Sequence, residues 1–172
     1  MKILIISLPR TGSTNLMQNL AKKNKLKPLF EPFDGSAREN YHEKMDNIVL
    51  KTIVEQQPDL DIGYLEFIKD LIGKFDKVIL LSRKNLQECA ESHAYFVHNR
   101  GKKGFTSATE YFWEPTPVDD LCLKNIIKWN DILQEISETY KIPITYYEDL
   151  YDTKSFKRLR KGNKNDIKKN II

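Results

Sequence analysis

The chain has 172 residues, 40% of them hydrophobic and 30% charged, a formal net charge of +4 and a mean hydropathy of −0.54. That length fits a single domain over residues 1–172 and leaves no room for a second full one. The longest early apolar run is far too short to span a bilayer, and no small-residue cleavage site follows it, so a soluble protein without membrane insertion or a signal peptide is expected.

The first element read from the sequence is a strand over Lys2 to Ser7. It flows into Leu8-Pro9-Arg10-Thr11-Gly12-Ser13-Thr14-Asn15-Leu16 and then into an amphipathic helix. Strand, turn and helix in that order make an anion site, because the free N–H groups opening a helix point at whatever sits there. Gly12 can take backbone angles closed to other residues. Arg10 adds a charged fork, and Thr11, Ser13 and Thr14 add hydroxyls. A Walker A loop also needs an earlier glycine and a lysine after the last one; neither is present, which counts against an ATP loop.

Further strands are expected over Ile48 to Ile53, Val78 to Ser82 and Ile142 to Tyr147. Between them, Leu65, Ile68, Ile72 and Phe75 mark one core-facing helix, and Cys122, Ile126, Trp129, Leu133, Ile136 and Tyr140 mark another. Asn85 followed by Glu88 reads as a capping box that starts a helix whose inner face carries Leu86, Cys89, Ala90, His93 and Val97. Strands alternating with helices predict an α/β fold, a three-layer parallel sheet with helices on both faces. Residues 99–118 break the pattern and read as a loop or lid around Tyr111, Phe112 and Trp113. Cys89 and Cys122 lie in helical apolar patterns, so free thiols and a reducing, cytoplasmic setting are expected. Between Lys154 and Lys169 stand eight Lys or Arg and one acid, Asp166; a solvated or polyanion-attracting tail would look like this.

Ligands of open α/β sheets sit at the carboxyl ends of the strands, where Arg10, Lys51-Thr52 and Ser82-Arg83-Lys84 are predicted to converge.

The turn from Pro9 to Thr14 resembles the Pro-Lys/Arg-Ser/Thr-Gly-Ser/Thr-Thr turn of sulfotransferases that use 3′-phosphoadenosine 5′-phosphosulfate (PAPS). The resemblance implies a P-loop NTPase-like sulfotransferase fold in which Pro9, Arg10, Thr11, Gly12, Ser13, Thr14 and Asn15 wrap the 5′-phosphosulfate. It also implies that Arg83, or Lys84, and Ser92 hold the 3′-phosphate. Arg160-Lys161-Gly162 looks like the family's closing loop over that phosphate, and Tyr147-Glu148-Asp149-Leu150 resembles a structural motif of many members. Arg10 and Lys51 suit the cations that the bridging oxygen needs as sulfur is attacked in line. The animal members' histidine is replaced by Ile53; Glu31, in Phe30-Glu31-Pro32-Phe33, resembles the glutamate some bacterial members use as base, with His42, His93 and His98 as alternatives. PAPS is then the cosubstrate, with no metal, a small-molecule or carbohydrate acceptor, and no nucleic-acid partner. A P-loop-type kinase or NTPase, and a shortened non-catalytic module binding nucleotide or polyanion, are the other readings.

Overall fold

The computed structural model describes residues 1–33, 41–54, 64–99, 118 and 120–151. Its elements in chain order are β1 (Lys2–Ser7), α1 (Ser13–Asn24), β2 (Lys27–Phe30), β3 (Ile48–Ile53), α2 (Tyr64–Ile72), β4 (Lys77–Ser82), α3 (Leu86–Asn99), α4 (Asp120–Tyr140), β5 (Ile144–Tyr146) and α5 (Tyr147–Leu150). The strands form one sheet in the order β2-β3-β1-β4-β5, and each neighbouring pair is parallel.

Alternation along β1 sends its side chains to two cores. Leu4 and Ile6 join Phe67, Ile68 and Leu71 of α2, Cys89 and Ala90 of α3, and Ile126, Leu133 and Ile136 of α4. Ile3 and Ile5 face the other way, against Leu16, Met17 and Leu20 of α1 and Tyr147 and Leu150 of α5. Because both faces of β1 and β3 are covered, these strands are almost wholly apolar instead of alternating with polar residues. The expected α/β sandwich of helices on both faces of a parallel sheet is therefore the fold. After β1 the chain leaves to one face through α1; after β3 and β4 it leaves to the other. Such a reversal opens the crevice in which open α/β sheets bind ligands, here at the carboxyl end of β1.

Several sequence expectations need correction. A fifth strand, β2, lies at the sheet edge, paired with β3 alone. It carries Pro28, which an edge strand tolerates because one side of it has no ladder to feed. The last strand is shorter than Ile142 to Tyr147: Pro143 has no N–H to donate, pairing starts at Ile144 against Leu80, and Tyr147 already belongs to α5. Helix α2 is rotated from the predicted stripe, burying Tyr64, Phe67, Ile68 and Leu71 while Leu65 is 39% exposed. Burying Phe67, edge-on to Phe33 at 4.9 Å, covers more apolar area than burying Leu65 would. On α3 only Cys89 and Ala90 are fully buried, and Val97 is 57% exposed. The predicted capping box is half made: Glu88 N–H donates to Asn85 Oδ1 at 3.1 Å, but the Glu88 carboxylate turns to Arg83 instead of back to the cap. Both cysteines are free thiols. No described helix is long and apolar enough to cross a membrane. The expected lid aromatics Tyr111, Phe112 and Trp113 and the basic tail lie outside the described residues.

Leu133 is fully buried beneath the sheet, whereas Ile127 on the same helix is 42% exposed. Leu133→Ala is expected to cost about 2–5 kcal/mol and Ile127→Ala no more than about 0.5 kcal/mol, read from urea unfolding midpoints.

Candidate functional site

The site begins where β1 ends. Leu8 N–H still donates to the Leu81 carbonyl at 3.1 Å, which ties the departing chain to β4. Arg10 and Gly12 then take left-handed backbone angles, with φ of 60° and 71°. Between them the buried Thr11 hydroxyl donates to the Leu8 carbonyl at 2.8 Å. Its proton therefore holds the turn in shape and is not presented outward. Helix α1 starts at once, with Leu16 N–H donating to the Gly12 carbonyl at 3.0 Å. No side chain caps this end and no acid stands in its first turn. The backbone donors and positive dipole end of a twelve-residue helix are thus directed at the crevice.

What holds the turn from behind was not legible as a site feature. A Cβ on Gly12 would stand 2.9 Å from Tyr151 Cε2 and 3.0 Å from Tyr147 Cε2, and Tyr151 Oη donates to the Gly12 carbonyl at 3.0 Å. The buried Cys89 thiol donates to the Pro9 carbonyl at 3.1 Å, so α3 grips the other end of the turn. Burial pushes that thiol up to about 12, which keeps it protonated. Burial raises both tyrosines too, so they stay neutral.

Four strand ends deliver charge. From β3, Lys51 is only 4% exposed and its Nζ donates to Thr14 Oγ1 at 3.0 Å while pairing with the Glu31 carboxylate. Glu31 follows β2 with a left-handed φ of 44°, and its N–H continues the ladder to the Lys51 carbonyl at 2.9 Å. That backbone bend is what brings the carboxylate onto the lysine. From β1, Arg10 Nε donates to Ser92 Oγ at 3.3 Å and the guanidinium lies over the Phe96 ring, 5.1 Å from its centroid. Burial lowers the Arg10 pKa to about 10; nearby Arg83 pushes the same way, while Cys89 and Glu31 oppose it. From β4, Arg83 pairs with Glu88 at 2.9 Å and Glu148 at 3.8 Å and lies over Tyr147, 4.9 Å from its centroid. Lys84 pairs with Asp149 at 2.5 Å.

The structure thus brings together Pro9, Arg10, Thr11, Gly12, Ser13, Thr14 and Asn15 as one turn and joins Lys51 and Glu31 to it. The two residues expected to hold a phosphate together have protein partners here: Ser92 accepts a hydrogen bond from Arg10, and Arg83 is held by two carboxylates. The physical reason lies in α5, whose Glu148 takes the Lys84 and Asn85 N–H groups at 3.0 and 3.3 Å and so anchors the Arg83 segment on that side. Arg160, Lys161 and Gly162 lie outside the described residues. Of the histidines, His93 packs its ring edge-on to Trp129 at 5.8 Å, and burial, then Arg10, lowers its pKa. His42 and His98 are exposed. Among the described residues no group of three or more His, Cys, Asp or Glu could hold a metal ion. Tyr147 and Tyr151 are the residues that sequence reading missed. The Tyr-Glu-Asp-Leu resemblance marked the segment, but nothing in it told that the rings would meet Gly12.

No protein-family model matches the chain, and no curated protein matches it. Among solved structures, it is similar to the YorR protein of Bacillus subtilis in complex with phosphorylated GDP, with a TM-score of 0.46, 14% identity, and 85% of this chain and 84% of that one covered. A likeness that distant says nothing of function.

Gly12→Ala combines the left-handed penalty with a clash against two packed rings, and is expected to destabilise the fold by at least about 1–2 kcal/mol in chemical denaturation. Arg10→Met is expected to melt no lower than the parent, since burial already disfavours the charge. Pyrophosphate is expected to raise the melting temperature of the parent and not that of the variant, as followed by calorimetry with and without the anion.

Proposed function

We propose that this chain is a nucleotide-dependent transferase whose donor lays its anionic groups on the turn of residues 9–15. In its finer form the reading is a sulfotransferase that moves a sulfuryl group from PAPS to a hydroxyl or amine. The observation that carries it is Lys51: an ammonium from a separate strand touches both the Thr14 hydroxyl at the helix start and the Glu31 carboxylate. Cation and base are adjacent, over a helix N-terminus.

In this reading the acceptor oxygen attacks sulfur in line, a new S–O bond forms, and the bond from sulfur to the 5′-phosphate oxygen breaks. Adenosine 3′,5′-bisphosphate departs and the acceptor proton passes to Glu31. Arg10 and Lys51 neutralise the charge that gathers on the bridging oxygen, where a water-poor site makes such cations most effective. Donor entry draws Lys51 toward that oxygen and loosens its hold on Glu31, which frees the carboxylate to act as base.

A second reading, phosphoryl transfer, is favoured by the positions of Gly12 and Thr14, which stand where a P-loop has its last glycine and its magnesium-binding hydroxyl. Against it, the Lys51 ammonium donates to that same Thr14 hydroxyl, and a divalent cation bound there would meet a positive charge.

Titration with adenosine 3′,5′-bisphosphate and, separately, ATP with Mg²⁺ distinguishes the two, followed by transfer assays with labelled donor over a panel of acceptors. Saturable binding of the bisphosphate and transfer of label from PAPS are expected. Lys51→Ala is expected to slow transfer by about 10²–10³-fold, and Glu31→Gln, which removes the base, by about 10²–10⁴-fold. Preference for ATP would overturn the sulfuryl reading.

A further inference from the structure

Away from the crevice, the outer side of α4 carries an ordered line of charge. The helix has 21 residues and buries Ile126, Leu133 and Ile136. Opposite them stand Leu121, Lys124, Lys128, Asp131, Glu135 and Glu138, all exposed and spaced three and four residues apart in turn. That alternation keeps one line of side chains facing a neighbouring helix along its whole length. No ion pair among the described residues involves any of these charges.

The order of charge along the line is one that the helix by itself resists. Lys124 and Lys128 stand at i and i+4, as do Asp131 and Glu135, and like charges at that spacing repel. The acids occupy the carboxyl half, and no base stands in the last turn, where the helix dipole favours one. Solubility asks only for both signs interspersed. This face is instead divided into a basic half and an acidic half.

A divided line is complementary to itself in one arrangement. When a second copy of α4 lies antiparallel about a two-fold axis level with the midpoint between Trp129 and Asn130, Lys124 of each copy lies level with Glu135 of the other, and Lys128 with Asp131. Parallel helices would oppose base to base and acid to acid. The two-fold arrangement is closed, so association stops at two copies. Leu121 on the line is 65% exposed and Ile127 beside it 42%, and both add apolar area that pairing would remove from water. The ion pairs fix direction and register more than they add affinity. One helix against one helix makes a small interface, of the kind found in transient complexes.

We propose that the outer face of α4 is a homodimer interface on which two copies of this chain pair antiparallel, base to acid. The inference is independent of the nucleotide-dependent reading, since this face points away from the sheet. Sedimentation velocity at protein concentrations up to about 200 μM tests it. In low salt the parent is expected to dimerise with a Kd on the order of 10 μM. In about 1 M salt, where the Debye length is about 3 Å, the dimer is expected to weaken. Lys124→Glu with Lys128→Glu makes the charges acidic throughout, and Asp131→Lys with Glu135→Lys makes them basic throughout. Each double variant alone is expected to dimerise at least about tenfold more weakly than the parent, because like charges then face each other. An equimolar mixture of the two is expected to form a heterodimer, which misfolded variants could not do. All four positions are exposed, so melting temperatures near the parent's are expected. A parent that stays monomeric in low salt overturns the proposal, as does a dimer that persists in both double variants, which places the contact elsewhere. Failure of the mixture to associate overturns it as well.

Discussion

The contact on which the rest of the site depends is the Tyr151 hydroxyl on the Gly12 carbonyl, with the Tyr147 and Tyr151 rings closed over the glycine itself. A left-handed turn made of short residues has little intrinsic preference to stay in one shape. Here its shape is set by an aromatic wall with no space for a side chain in front of it. The start of α1, and with it the aim of its free N–H groups, follows from that wall. The same four-residue helix reaches across to β4, where Glu148 takes two backbone N–H groups after Arg83 and Tyr147 supports the guanidinium. Two segments about seventy residues apart in sequence are therefore clipped by one element.

Charge is arranged under the same constraint. Arg10, Lys51 and Arg83 converge on a buried crevice, which like charges resist. Lys51 has Glu31 and Arg83 has Glu88 and Glu148; Arg10 donates to a serine hydroxyl and lies over an aromatic face, and burial lowers its pKa. An incoming anion would restore to Arg10 what burial takes away, and would compete with Glu31 for Lys51.

Much of this was legible in the sequence. Lys2–Ser7 and Ile48–Ile53 stand where they were read, because an unbroken run of branched apolar residues bounded by turn signals suits a strand covered on both faces. The turn was legible because Gly12 and its hydroxyl neighbours have few other uses. β2 was not, since four residues with a proline carry no period, and the position of Glu31 beside Lys51 depends on that hidden strand. Ser92 was read as a phosphate ligand alongside Arg83 or Lys84; that its hydroxyl would accept a hydrogen bond from Arg10 was not legible. Which guanidinium it meets is decided by the left-handed backbone at Arg10 and by the carboxylates around Arg83, and neither is written in local spacing. The face of α2 failed for a related reason: two stripes along it are apolar, and only the bulk of Phe67 and Tyr64 chooses between them.

The hydrogen bond from Cys89 to Pro9 gives this architecture a built-in reporter. A thiol that is fully buried, held by a carbonyl and kept protonated reacts with an alkylating reagent only when α3 parts from the turn. The modification rate of this one atom therefore counts how often the cradle comes apart. A ligand seated on residues 9–15 would register as a slowing of that clock, whatever the ligand's identity and whether or not any chemistry follows.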